Sequence, residues 1–227
     1  MTDLSPLWIS IKTSLTATLI VFFLGIAAAW FMCGYKGKGR GLLDAIFTLP
    51  MVLPPTVVGF ILLIIIGKNG PIGELLGQLG INIIFTWYAA VIAATIVAFP
   101  LMYKTSLGAF VQIDVNMLNA ARTLGVSEWK LFWKVVIPLA VPGIISGTIL
   151  SFARALGEFG ATLMIAGSIP GKTQTIPIAI YFAVESGENG IAMMWVLFIF
   201  IISLVVMVFT EKWTEKQYFI VPSARRK

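Results

Sequence analysis

The segment whose residue types most directly suggest chemistry is a glycine-containing loop that ends in lysine and threonine. Residues 166–173, AGSIPGKT, match the relaxed pattern of a phosphate-binding loop, in which backbone N–H groups and the lysine hold phosphate groups. A nucleotide site also needs an acidic residue for magnesium, and all the aspartates lie far before this loop. Pro177 interrupts the helix that should follow Thr173, and no alternation of strands and helices surrounds the loop. We therefore interpret the match as a chance one.

Conventional catalytic and metal-binding groups are missing from the sequence. Histidine is absent and Cys33 is the only cysteine. A Ser/His/Asp or Cys/His nucleophile requires histidine, and zinc sites and disulfide frameworks require more cysteine or histidine than this chain has. A membrane-embedded metalloenzyme would also need paired acidic metal ligands. We predict no catalytic residue, no metal site and no cofactor bound by this chain, which is therefore not an enzyme by itself.

Prolines predict a break inside an apolar segment. Pro50, Pro54 and Pro55 each lack a backbone donor and clash with the preceding turn, so a helix should break there. Broken helices in membranes are tolerated where they line a cavity or are buried in protein. One hypothesis is that a half-helix starting near Thr56 points its positive end at an anion path, lined by Pro54, Pro55 and Thr56. The alternative is a structural kink packed against a neighbouring helix.

Two ionisable residues lie one helical turn apart near the end of a later apolar run. Arg154 and Glu158 have the i,i+4 spacing of an ion pair. Exposure of either charged side chain to lipid would cost free energy. They are predicted to shape the translocation path, although Glu158 should not contact an anion itself because like charges repel. The alternative places both at the headgroup level, paired only with each other. Gly143 and Gly147 have the GxxxG spacing of close helix contacts, within one subunit or between two.

The elements that position these residues are predicted from hydropathy. With 59% hydrophobic residues, 11% charged residues and a mean hydropathy of +0.96, the chain has more apolar surface than a soluble core could bury. Apolar runs long enough to span a bilayer predict about five transmembrane helices, at 7–33, 42–66, 84–103, 135–156 and 191–210. We predict an all-α, polytopic membrane protein with a single domain, 1–227. Residues 158–190 are predicted to be re-entrant or interfacial, because glycine and proline cut their apolar stretches.

Basic residues fall at three membrane boundaries. They are concentrated in the loop 34–41, in the segment 104–134 and in the C-terminal tail, whereas the opposite loops hold only Lys68 and Lys172. The positive-inside rule then predicts a cell-membrane protein with its N-terminus outside and its C-terminus in the cytoplasm. Because the basic residues are dispersed at boundaries and do not form a stripe on one face, we expect no nucleic-acid partner.

The segment 114–134 is the predicted cytoplasmic loop, and it begins with a short helix. Asp114 can cap that helix and Gly125 can end it in the left-handed conformation. Met117, Ala120, Ala121 and Leu124 would then share one face, where the alanines allow close backbone approach. Such a helix suits insertion into a groove on another protein, and the alternative is a helix that lies passively on the bilayer.

The same segment resembles the cytoplasmic signature of the permease family of ABC importers. That signature is Glu-Ala-Ala, a glycine four residues after the second alanine and then, after nine intervening residues, Ile-x-Leu-Pro. The spacing agrees throughout, with Asn119 in place of the glutamate and Val135 and Ile137 in place of isoleucine and leucine. The matching residues are Asn119, Ala120, Ala121, Gly125, Val135, Ile137 and Pro138. The resemblance implies that residues 119–125 couple the permease to an ATPase, where Arg122 could supply the ion pair that Asn119 cannot.

A closer resemblance, to molybdate permeases, covers nearly the whole chain. Its segments are LPMVLPPTVVGF at 49–60, AARTLG at 120–125 and FARALGEFGATLMIAGSIPGKTQTIPIAIY at 152–181. It implies a type I ABC importer permease that forms a homodimer, receives molybdate or tungstate from an external binding protein and is driven by a cytoplasmic ATPase dimer that binds ATP and magnesium. Sulfate permeases share parts of these segments and remain an alternative. A channel or transporter without an ATPase predicts charged relay residues through the spans, and these are sparse.

Overall fold

Eleven α-helices and one π-helical turn make up residues 3–218, the part of the chain that the computed structural model describes, with side chains to residue 208. The α-helices are α1 (Ser5–Gly34), α2 (Arg40–Val52), α3 (Pro55–Ile66), α4 (Pro71–Gln78), α5 (Trp87–Val111), α6 (Val115–Thr123), α7 (Glu128–Leu131), α8 (Ile137–Leu156), α9 (Gly160–Ala166), α10 (Ile176–Glu185) and α11 (Asn189–Tyr218). The π-helical turn Phe132–Val136 joins α7 to α8. Three basic residues of the C-terminal tail, which was predicted to be cytoplasmic, lie outside the described residues: Arg225, Arg226 and Lys227.

Four helical segments in this part are long and apolar enough to cross a bilayer, and the pair α2 and α3 makes a fifth if it is counted as one span. The prediction of about five membrane helices is therefore confirmed. The third predicted span ended at Tyr103, whereas α5 continues to Val111. The fourth was predicted from Val135, but its helix begins at Glu128. Both helices extend past their apolar runs into the segment that carries α6.

The core forms where α1, α5 and α8 pack through small side chains. Ala17 and Ala29 of α1 contact a cluster that includes Ala94 and Ala98 of α5 and Ala140 of α8. A Cβ added at Gly143 would lie 2.5 Å from Cβ of Ala109, and one at Gly147 would overlap Oγ1 of Thr105. The GxxxG spacing therefore serves the contact of α8 with α5 within one chain.

The predicted break in the second span is present, with a bend of 113° between α2 and α3. Leu53 is extended (φ −70°, ψ 141°), as the residue before a proline prefers to be. Pro54 follows it, and Pro55 is the first residue of α3, a position where its missing N–H costs nothing. Pro50 does not contribute to the break as predicted, since α2 continues through it to Val52.

Residues 158–190 fold into two short helices that pack against the rest of the chain. Ala161, Ile165 and Ala166 of α9 are buried in a cluster with residues of α3 and α5, and the backbone N–H of Phe85 donates to the carbonyl of Ile165 at 2.9 Å. The loop that resembles a phosphate-binding site follows helix α9 and not a strand. Its Thr173 Oγ1 accepts from the N–H of Ile169 at 3.0 Å, so this hydroxyl closes the loop.

Candidate translocation and coupling sites

The helix α6 has the start and end that the sequence predicts. The Asp114 carboxylate accepts a hydrogen bond from the backbone N–H of Asn116 at 2.8 Å, which satisfies one of the free donors of the first turn. Gly125 follows the last turn with φ +76°, a conformation that favours glycine. None of the residues of α6 is fully buried. The helix is therefore a short, well-bounded element on the surface of the chain.

The apolar face that was predicted for α6 is only partly turned towards the core. Ala121 and Leu118 are half-buried and pack against the α1, α5 and α8 core. Met117, Ala120 and Leu124 are exposed, Leu124 to 84%. The reason is that a helix held against its own core must turn one stripe inward, and Ala121 falls in that stripe. The surface available to another protein is thus centred on Ala120.

Arg122 has an ion-pair partner within the chain. Its Nε lies 2.7 Å from Oε1 of Glu128 and its Nη2 lies 3.2 Å from Oε2, so the contact is bidentate. Nη1 also donates to Oδ1 of Asn119 at 3.3 Å. These bonds to Glu128 raise the pKa of Arg122. The ion pair that was suggested for contact with an ATPase is therefore already formed internally, across the turn at Gly125.

The break before α3 lies beside the start of α9. A Cβ added at Gly160 would lie 3.1 Å from the backbone N of Thr56, and one at Gly59 would lie 2.8 Å from Cα of Ala161. The two short helices therefore begin side by side and run in the same direction, with their positive ends adjacent. Thr56 and Pro54 are exposed on the surface of the chain, whereas Gly160 and Ala161 are buried.

The predicted i,i+4 pair is also at this place. Nη1 of Arg154 lies 2.8 Å from Oε2 of Glu158, with side chains exposed to 32% and 1% respectively. Oε1 of Glu158 accepts from the backbone N–H of Ala161 at 2.8 Å, so the carboxylate satisfies one of the free donors of the first turn of α9. The two residues are therefore not paired only with each other. The positive end of α9 is matched by Glu158, whereas α3 has no side-chain cap.

Sequence reasoning missed a second charged cluster, between α2 and α5. Asp44 Oδ1 accepts from the hydroxyl of Tyr103 at 2.7 Å, and Asp44 Oδ2 lies 2.7 Å from Nζ of Lys104. Lys104 lines an open groove of about 650 Å³ between α5 and α8, next to the start of α6. Only the basic residue Lys104 was noted from the sequence, as part of the segment 104–134. The partner, 60 positions earlier, has no local sequence signal.

The profile of one protein family, "Binding-protein-dependent transport system inner membrane component", matches residues 21–212. YvgM of Bacillus subtilis (strain 168), named for molybdenum transport, is 47% identical over 209 residues, 92% of each chain. ModB of Escherichia coli (strain K12), a molybdenum transport system permease protein, is 44% identical over 192 residues, 83% of this chain and 84% of that one. A chain named for sulfate transport, cysT of Chlorokybus atmophyticus, is 37% identical over 177 residues, 78% of this chain and 62% of that one.

The fold is also similar to that of a solved transporter. A chain of the inward-facing MetNI methionine ABC transporter superposes with a TM-score of 0.72 and covers 94% of this chain and 95% of that one. The two are 14% identical, so the similarity concerns the fold alone. It is the fold of type I ABC importer permeases.

Proposed function

Because this chain belongs to the family of binding-protein-dependent transport system inner membrane components, we propose that it is the membrane permease of an ABC importer that carries molybdate into the cell. The observation that carries the proposal is the identity of 47% and 44% to permeases named for molybdenum transport, over most of each chain. Tungstate, a tetrahedral dianion of nearly the same size, is expected to be carried as well. The whole chain, 1–227, acts as one permease domain.

The partners follow from this function. Two copies of the chain form the translocation path, an external binding protein delivers the anion, and a cytoplasmic ATPase dimer binds ATP and magnesium. The chain itself binds no cofactor, and it lies in the cell membrane with its N-terminus outside and α6 in the cytoplasm. The separation of basic residues between the two ends of the spans supports this orientation.

The helix α6 is the proposed contact with the ATPase. Its exposed surface holds Met117, Ala120 and Leu124, and the small Ala120 allows a close approach by a partner groove. The Arg122–Glu128 pair and the Asp114 cap hold α6 to the chain, so a movement of the ATPase would be transmitted to α5 and α8 on either side. Asn119 supports the pair through its bond to Arg122, and Gly125 permits the turn. The coupling is therefore mechanical and needs no charged contact from Arg122.

The path is proposed to pass the break between α2 and α3. The start of α3, at Pro54, Pro55 and Thr56, presents the backbone N–H of Thr56 without a fixed cation, because the two prolines have no N–H. Arg154, one-third exposed, lies beyond the adjacent start of α9, where Glu158 neutralises it. Neutralised donors of this kind can attract an oxyanion and still release it, because binding that is too tight prevents passage.

The test is reconstitution of the chain in liposomes alone, with the candidate ATPase, and with the ATPase and binding protein. Molybdate uptake should require all components and ATP. Ala120→Trp should abolish uptake while the protein still inserts, because indole cannot fit where a methyl group approaches a partner. Val111→Trp, at an exposed position at the end of α5, is the matched control and should retain uptake.

Two outcomes would change the proposal. Uptake by the chain alone, insensitive to ATP, would establish a channel or a transporter that works without an ATPase. If sulfate competed with molybdate uptake as strongly as tungstate does, the sulfate-type alternative would be supported. The identity to cysT is the reason for testing this alternative.

A further inference from the structure

The groove between α5 and α8 opens at the edge of the core, because Ile113 of the core cluster and Ala109, which packs against that cluster, belong to its lining. On α5 the core residues Ala94, Ala98 and Met102 recur every four positions, and Lys104 falls away from that stripe. On α8 the core residues Ala140 and Ile144 alternate in the same way with the groove residues Pro142 and Ser146. The helix α1 therefore covers one side of the pair and leaves the groove open.

The lining of this groove has polar side chains among apolar ones. The polar lining residues include Lys104, Gln112 and Ser146. Asp114, at the start of α6, also lines the groove, and its carboxylate accepts a hydrogen bond from the N–H of Asn116. In the described part of the chain, the side chains of Gln112 and Ser146 make no hydrogen bond, so both are free to donate. Lys104 and Gln112 belong to the segment predicted to be cytoplasmic, and Ser146 lies within the apolar run of α8, where a polar side chain that faces lipid is costly.

The ammonium group of Lys104, which lines the groove, forms an ion pair with a carboxylate on another helix. Nζ of Lys104 lies 2.8 Å from Oδ1 and 2.7 Å from Oδ2 of Asp44, and Tyr103 donates to the same carboxylate. The side chain of Lys104 remains 44% exposed, so it is accessible from the groove while it is paired. Asp44 is not among the residues that line the groove. The carboxylate of Asp44 thus pairs with Lys104 from outside the groove.

We propose that this groove is the exit site for a tetrahedral oxyanion, in which Lys104, Gln112 and Ser146 contact the anion and Asp44 weakens the hold of Lys104. This inference rests on the proposed import of molybdate and names residues that act in its last step. A lysine without a partner would retain a dianion by its full charge, and a paired lysine attracts it less. Asp44 is thus a positioning residue that sets how readily the anion leaves for the cytoplasm.

The first test uses the reconstituted importer with its ATPase and binding protein. Asp44→Asn should slow ATP-driven molybdate uptake about two- to fivefold, the range of one exposed ion pair, because Lys104 is then free to hold the anion. In the double variant Asp44→Asn with Lys104→Gln, no cation remains to hold it, and the rate should recover most of that loss. A double variant as slow as or slower than Asp44→Asn would show that the pair only joins α2 to α5 and would overturn the inference.

A second readout does not depend on transport. In a Cys33→Ala background, Ser146→Cys reports the potential of the groove through its reaction rates with an anionic and a cationic thiol reagent. Asp44→Asn should raise the ratio of the anionic to the cationic rate, Lys104→Gln should lower it, and molybdate should protect the thiol. Unchanged ratios or no protection would overturn the exit site. Failure of the proposed function is a separate result, because the unmodified importer would then show no ATP-driven molybdate uptake.

Discussion

Glu158 is the only carboxylate that is fully buried in the part of the chain whose side chains are described. It forms an ion pair with the guanidinium of Arg154 and accepts a hydrogen bond from the backbone N–H of Ala161, so it joins the end of α8 to the start of α9. A buried charge that loses its partner is strongly destabilising, because the remaining group keeps its desolvation cost. The local stability of the α8 to α9 connection therefore depends on this one side chain.

Replacement of Glu158 should lower the unfolding temperature in detergent in a graded order. Glu158→Gln keeps an acceptor for Ala161 but removes the charge, and a loss of about 1–3 kcal/mol is expected for a hydrogen-bonded buried group. Glu158→Ala removes both interactions and should be less stable still. The exposed Glu74→Gln is the control, expected within about 0.5 kcal/mol. A Gln variant as stable as the unmodified protein would show that the ion pair contributes nothing.

Residue types and spacing predicted some of these contacts and missed others for a physical reason. Arg154 and Glu158 lie at helical spacing, so their pair could be predicted from the sequence. Arg122 and Glu128 are six positions apart and meet only because the chain reverses at Gly125. Asp44 and Lys104 belong to different helices, and their contact depends on how α2 packs on α5. Long-range ion pairs of this kind carry no local pattern.

At the scale of elements, the contact of α3 with α9 depends on glycine. Gly59 allows the backbones to approach, since a Cβ there would lie 2.8 Å from Cα of Ala161 and from Cβ of Met164. The neighbouring atoms belong partly to the backbone and cannot rotate away. The position of α3 against α9 is therefore fixed by a close contact of the two helices.

Gly59→Ala should separate α3 from α9 and lower stability by about 1–3 kcal/mol, the usual cost of overpacking. Gly41→Ala is the matched control, because a Cβ there meets no atom within 4 Å. Its effect should stay within about 0.5 kcal/mol. Thermal unfolding of both variants in detergent checks the prediction. Equal unfolding temperatures would mean that the crossing relaxes without cost.

The break itself was predictable, but the burial of α9 was not. Paired prolines forbid a continuous helix whatever surrounds them, so the sequence placed the half-helix within one residue of its start. The seven residues of α9 have no comparable signal, because a helix this short is stable only through packing. Ala121 shows the same limit, since the face of α6 that turns inward is chosen by the core.

At the scale of the whole molecule, the charges separate between two ends. The indole N–H of Trp87 donates to Thr13 Oγ1, so the starts of α1 and α5 lie together, and Ser151 donates to the carbonyl of Ala98, which sets α8 antiparallel to α5. One end of these spans therefore carries Lys36, Lys38, Arg40, Lys104, Arg122, Lys130 and Lys134, and the other carries Lys12, Lys68, Arg154 and Lys172. This asymmetry predicts which end faces the cytoplasm.

Single cysteines test that orientation. In a Cys33→Ala background, Lys172→Cys and Lys36→Cys each place one thiol at an exposed lysine position, at opposite ends of the spans. A membrane-impermeant maleimide added to intact cells should label Lys172→Cys and should label Lys36→Cys only after permeabilisation, because basic segments are retained on the cytoplasmic side. Asn116→Cys, in α6, should behave like Lys36→Cys. If the reagent reached Asn116→Cys in intact cells, α6 would be outside, and no cytoplasmic ATPase could bind it.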